Sequence, residues 1–132
     1  MSTQLSNQSE RIEAALERIR ESFEECPEIL GPVARLFRGA YVPDMHALRV
    51  ALENGDNARF AFLAHKIKGS ASYFRVDYVT DLAAELELRG KCGSLAGVSD
   101  LVDQLGDGLD SVSAALRDEE ERLAARRSTD KP

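Results

Sequence analysis

Apolar residues recur along this chain at intervals of three and four, the repeat that gathers them on one side of an α-helix. Ile12, Leu16, Ile19 and Phe23 make the first stripe, which should stop before Cys26-Pro27, because the residue before a proline is driven out of the helical region. A second stretch holds Ile29, Val33, Leu36 and Phe37; Gly31-Pro32 is expected to bend or restart it, and it should end by Gly39 or Tyr41. Pro43-Asp44 then reads as the opening of a short helix with Met45, Leu48 and Leu52 turned inward. Asn54-Gly55-Asp56 combines a helix stop with a capping aspartate. A helix over about 57–74 follows, then one capped by Asp77 with Val79, Leu82, Ala83 and Leu86 inward, closing near Gly90 to Gly93. From about Leu95, the residues Val98, Val102, Leu105, Leu109, Val112, Leu116 and Leu123 keep the seam spacing of bundled helices. Gly106 and Gly108 interrupt that seam, each at about 1 kcal/mol in a helix interior, so a local bend or a close contact is expected there.

No stretch alternates apolar and polar residues long enough to make a strand. The expected fold is therefore all-α: an antiparallel four-helix bundle with an additional N-terminal helical segment, the short turns forcing neighbours antiparallel. A single domain over 1–132 is expected, with a core of about 27–118, an N-terminal helix of about 9–25, and polar, aperiodic tails at 1–8 and 126–132 that should fray.

Composition narrows what such a bundle does. With 17 Lys and Arg against 23 Asp and Glu the net charge is -6, which disfavours nucleic-acid backbones and anionic membranes as partners. No apolar run approaches the roughly 18 residues of a membrane span, and the start has no basic region followed by an apolar stretch, so a cytoplasmic protein is expected. In that reducing compartment Cys26 and Cys92 read as small buried apolar groups. Two histidines and two isolated cysteines form no metal-binding set, and no Gly-rich loop is present to cradle a nucleotide, so neither metal nor cofactor is expected.

The chemistry concentrates on the helix after Asp56. A wheel of about 100° per residue puts Phe60, Leu63, Ile67, Ala71 and Phe74 on one side and His65 nearly opposite. Around His65 lie Ala58, Ala61, Gly69, Ser72 and Val76, mostly small, so another protein's backbone could come close to the imidazole. Lys68, three residues on, can bring its ammonium beside the ring, favouring a neutral, nucleophilic imidazole and attracting an anion carried by it. This combination suits phosphoryl acceptance. A lone histidine is ordinarily structural or solvated, and His46, with no such neighbours, keeps that reading, as Lys66 does for a solvated lysine. Arg59, Lys66, Lys68 and Arg75 occur between Asn57 and Val76 with no acidic residue among them, a basic strip on an acidic protein.

Ala64-His65-Lys66-Ile67-Lys68-Gly69-Ser70-Ala71 resembles the signature of histidine-containing phosphotransfer (HPt) domains. Leu48, Leu52 and Gly55-Asp56 upstream, and Leu82-Ala83, Leu86-Glu87 and Arg89-Gly90 downstream, extend the resemblance over about Ile29 to Leu116. It implies a four-helix bundle that carries phosphate on His65 between receiver-domain aspartates, with no nucleotide, metal or kinase site of its own. Lys68 is then the electrostatic partner, Gly69 the residue that keeps access open, and Ala61, Ser72 and Arg75 docking positions. Receiver domains of response regulators or of a hybrid histidine kinase are the implied partners, and a monomer is expected. One departure stands out: Arg75 occupies a place, ten residues after the histidine, where the family usually has Gly. The wheel sets Arg75 on the flank of Lys68, within reach of Asp77 or Asp81. Two other readings remain open at this point: a helical scaffold protein that retains the signature, and the phosphoacceptor module of a chemotaxis-type kinase, which shares the His-x-x-Lys-Gly pattern.

Overall fold

The computed structural model describes residues 2–130 as α1 (Ser2–Phe23), a 3-10 turn (Pro27–Ile29), α2 (Leu30–Glu53), α3 (Asn57–Ser72), α4 (Asp77–Lys91) and α5 (Ser99–Asp130). Each of α2 to α5 packs on the next, and α5 returns to α2, closing a four-helix core; α1 lies against α4 and α5. The stripes point as their spacing requires: Phe60, Leu63, Ile67, Ala71 and Phe74, then Val79, Leu82, Ala83 and Leu86, then Val98 through Leu116 are all buried in one core. Leu16, Ile19 and Phe23 of α1 join it, whereas the side chain of Ile12 lies outside the described residues. The helices run further toward both ends than the polar composition indicates, α1 starting at Ser2 and α5 reaching Asp130, while Met1, Lys131 and Pro132 lie outside the described residues.

α2 differs most from the sequence pattern. It is one helix of 24 residues with Pro43 inside it, not two helices divided before the proline. Pro43 lacks the N–H that would bond one turn back, and its ring crowds that turn, at a cost of about 3 kcal/mol. Leu30, Phe37 and Tyr41 on one side of the proline and Met45, Leu48 and Ala51 on the other are buried on a single stripe. At about 1.5–3 kcal/mol for each large side chain, their shared burial outweighs that cost and keeps the helix whole. Not every apolar residue of this stretch turns inward: Leu36 is 74% exposed and Ile29 is exposed too.

The turn into α3 behaves as the sequence requires. Gly55 takes the left-handed φ of 64°, the Asp56 N–H donates back to the Ala51 carbonyl and that of Gly55 to Leu52, the pairing that closes a helix on glycine. The Asp56 carboxylate then caps α3 by accepting the N–H of Arg59 at 3.1 Å. At α4 the expected cap shifts by one residue: Val76 holds the capping position and Asp77 is the first helical residue, where its charge complements the helix dipole. α5 passes its two glycines unbroken. A Cβ on Gly106 would press on Arg49 and one on Gly108 on Val79 and Tyr78, so they serve close contact. Cys26 and Cys92 are both exposed rather than buried, because they lie where the chain leaves the helices and no apolar neighbour covers them.

Candidate functional site

The site grows from a close backbone contact between α3 and α4. A Cβ on Gly90 of α4 would come within 2.9 Å of the Ala61 backbone nitrogen on α3, so only glycine allows this approach. One turn toward the C-terminus of α3 and the N-terminus of α4, the same seam brings Glu87 to His65. Glu87 falls four residues after buried Ala83 on the inward face of α4 and is itself only 7% exposed. Its Oε2 lies 3.0 Å from His65 Nδ1, and its Oε1 accepts from Lys68 Nζ at 2.7 Å. Lys91 Nζ adds a third contact, 2.9 Å from Oε2. Hydrogen bonds from Lys68 and Lys91, helped by His65 and opposed by burial, hold this carboxyl at about 2, far below the usual carboxylate range.

An ionised carboxylate only accepts hydrogen bonds. The neutral His65 ring must therefore place its proton on Nδ1 and keep the lone pair on Nε2, an atom with no hydrogen bond among the described residues. The side chain is 67% exposed and stands between two grooves. One is lined by Ala58, Ala61, Phe62, Glu87, Gly90 and Lys91; the other by Lys68, Gly69, Ser72, Arg75, Asp77 and Thr80. A Cβ on Gly69 would meet nothing within 4 Å, so a side chain there would project into the open groove beside the ring.

The structure thus brings together His65, Lys68 and Gly69, His65 and Lys68 through the carboxylate of Glu87, a residue to which the sequence pattern assigns no role. The ring's charged neighbour is Glu87, and Lys68 is engaged with that carboxylate rather than with the ring. A signal for Glu87 exists: it is the one charged residue on the stripe Ala83, Leu86, Gly90. Ser72 is exposed and donates its hydroxyl to the Gly69 carbonyl at 2.8 Å. Ala61 lines a groove yet is mostly buried under Gly90. Val76, placed by the wheel on the face of His65, is buried, because α3 ends at Ser72 and the wheel ends with it. Arg75 lies beyond the end of α3, with a left-handed φ of 55° in the connection to α4; it still lines one groove with Lys68, and no ion pair joins it to Asp77 or Asp81 among the described residues. Nor is the basic strip a free one. Lys66 pairs with the buried Asp44 of α2 at 3.2 Å, Lys68 with Glu87, and Arg59 lies over the Phe62 ring.

A four-helix core that presents one hydrogen-bonded, half-open imidazole at mid-helix has the architecture of a histidine phosphotransfer module. The profile of the Hpt domain family matches residues 22–123, and the chain belongs to that family, whose members carry phosphoryl groups on histidine in two-component phosphorelay signalling. Among solved structures, the fold is similar to the crystal structure of histidine-containing phosphotransfer protein B (HptB) from Pseudomonas aeruginosa PAO1, with a TM-score of 0.64, 23% sequence identity, and 83% of this chain and 92% of that one covered. Comparison with curated proteins gives no match. Hpt domains interact with receiver domains of response regulators and hybrid kinases. Among the described residues no His, Cys, Asp and Glu side chains group to hold a metal ion, and no helix is long and apolar enough to cross a membrane.

Proposed function

We propose that His65 is the phosphoryl acceptor, taking the group from an aspartyl phosphate of one receiver domain and passing it to the aspartate of another. The observation that carries this is the Nδ1 to Glu87 hydrogen bond, which leaves Nε2 as the nucleophile. In the forward step the P–O bond to the aspartyl carboxylate breaks as the P–Nε2 bond forms. The aspartate leaves as a carboxylate, and the ring keeps its Nδ1 proton, so the positive charge gained by the imidazole faces Glu87. Lys68, one turn along α3, moves its ammonium from Glu87 to the phosphoryl oxygens, while Lys91 stays behind to balance the buried carboxylate. Gly69 leaves room for the partner's backbone, and Ser72 and Ala61 border the approach. The phosphoryl group originates from the partner. The chain acts as one Hpt-like domain, monomeric and cytoplasmic, with neither nucleic acid nor membrane as a partner.

The test is transfer from a receiver domain loaded with acetyl phosphate. Acid-labile, alkali-stable phosphate should appear on the wild-type chain and be absent from His65→Gln; equal uptake by the two would overturn the assignment.

A further inference from the structure

The connection from α3 to α4 is pinned on both sides of Arg75. Phe74 is buried edge-on against Phe37, with ring centroids 4.9 Å apart, and Val76 is buried in the core. The residue between them takes the left-handed φ of 55°, a conformation that a side-chain-bearing residue adopts less readily than glycine. Arg18 of α1 stabilises this conformation by donating from Nη2 to the Arg75 carbonyl at 3.0 Å. The backbone is thus held while the exposed guanidinium is left to solvent. Many surface cations elsewhere on the bundle, Arg20, Arg35, Arg49, Lys66, Arg89 and Arg122 among them, face a carboxylate, whereas Arg38 donates to the Tyr41 hydroxyl and Arg59 lies over the Phe62 ring. Arg75 has no such partner among the described residues, and it lines the groove that also holds His65, Lys68 and Gly69. An arginine kept in an unfavourable backbone conformation at the edge of a reactive site is a feature that local stability does not explain.

We infer that Arg75 is a partner-selecting residue: it receives a carboxylate side chain on the rim of the incoming receiver domain, favouring receivers that place an Asp or Glu there over those that place a Lys or Arg. This rests on the carrier role of His65. A guanidinium can meet a carboxylate through two parallel hydrogen bonds, so charge and geometry are both read. Arg18 acts through the loop backbone as a positioning residue, which gives α1 a part in docking.

The experiment measures second-order transfer rates from a panel of receiver domains loaded with acetyl phosphate, for wild type, Arg75→Lys, Arg75→Glu and Arg75→Gly, at about 50 mM and about 500 mM salt. With the receiver that wild type prefers, Arg75→Glu should be slower by about tenfold at low salt, Arg75→Lys should fall between, and the gap should narrow at high salt. Arg75→Gly should melt higher, its φ relieved, and yet transfer more slowly, a pairing that a structural role would not produce. Arg18→Gln should lower the rate in wild type but not in Arg75→Glu. Rates that are the same for all variants at both salts, with wild type loaded, would overturn this inference and leave the carrier role standing. A wild-type chain that no receiver loads would overturn the carrier role itself.

Discussion

Among the described residues two nearly buried carboxylates each gather two or more cationic side chains, and only one of them also holds an imidazole. Glu119 of α5, 6% exposed, accepts from Arg20 of α1 at 3.0 Å and from Arg122, one turn along its own helix. Arg122 first and then Arg20, against burial, lower its pKa. Glu87 is buried to the same degree and lowered by the same kind of forces. The difference lies in the partners. Two guanidinium groups saturate Glu119, that of Arg20 tying α1 to the core, and leave no atom with chemistry still to do. Glu87 instead holds two flexible lysines and an imidazole whose second nitrogen stays open. A depressed carboxylate pKa therefore marks organised charge in both places, and it marks a site only where a partner keeps a reactive atom free.

The largest effects should separate nucleophile from scaffold on α3. His65→Gln should abolish phosphate uptake with the melting curve almost unmoved, because the side chain faces solvent. Ile67→Asp, two residues away, should unfold the bundle, since Ile67 is fully buried and an unpaired charge there costs several kcal/mol. Circular dichroism and phosphate transfer on the two variants check both halves. A His65→Gln chain that melts far lower would return His65 to a structural role.

Next come the two carboxylates themselves. Glu87→Leu should slow transfer by about tenfold or more, because Nδ1 loses the acceptor that fixes its proton. Glu87→Gln, whose amide oxygen still accepts, should recover much of the rate. Nitrogen chemical shifts of the His65 ring are the readout specific to positioning: Glu87→Leu should mix the two tautomers and Glu87→Gln should not. Glu119→Gln should leave transfer unchanged and lower Tm by a few degrees through the weakened hold on α1, on the order of 1 kcal/mol. Transfer lost equally in the two would erase the distinction drawn here.

That distinction was only partly readable beforehand, and the reasons are physical. Periodicity reports which face of a helix is apolar, so the stripes of α3, α4 and α5 and the outward His65 followed directly from Phe60, Leu63, Ile67 and their counterparts. Local rules failed where distant packing outweighed them. Pro43 reads as a helix start, yet the buried residues on either side carry α2 through it. Arg75 reads as a helix residue on a wheel, yet the anchoring of Phe74 and Val76 throws it into a left-handed turn. The contact of Glu87 with His65 was not legible because a hydrogen bond between helices depends on their register, here set by Gly90 on Ala61, and register is a property of the pair. The exposure of Cys26 and Cys92 was missed because burial frequency belongs to a residue type, whereas theirs is decided by their place at helix ends.

A smaller effect probes how open the reactive atom must be. Gly69→Ala should stabilise the bundle by about 0.5–1 kcal/mol, since alanine is the better helix residue and its Cβ meets nothing within 4 Å. Transfer should nonetheless slow, because the added methyl projects where a receiver's backbone must approach. Stability rising while rate falls would place the defect in docking. A rate that rises or holds would remove Gly69 from the access role.

The smallest expected signal is in acid, and it treats the two carboxylates alike where the transfer assay treats them differently. Glu87 ionises at about 2 in the folded chain, against an ordinary 4.5. The unfolded chain therefore binds its proton first as pH falls. Glu87's contribution to stability is complete above about 4.5 and is lost progressively between there and about 2. Glu119, also lowered, contributes with the same sign. Denaturant titrations at intervals from pH 5 to pH 2.5 should show stability falling with acid, and Glu87→Gln and Glu119→Gln should each flatten the curve by less than about one proton. A wild-type slope that neither variant changes would mean that other carboxylates govern the acid response. Flattening by both, set beside loss of transfer through Glu87 alone, would show one electrostatic arrangement serving two purposes in the same fold.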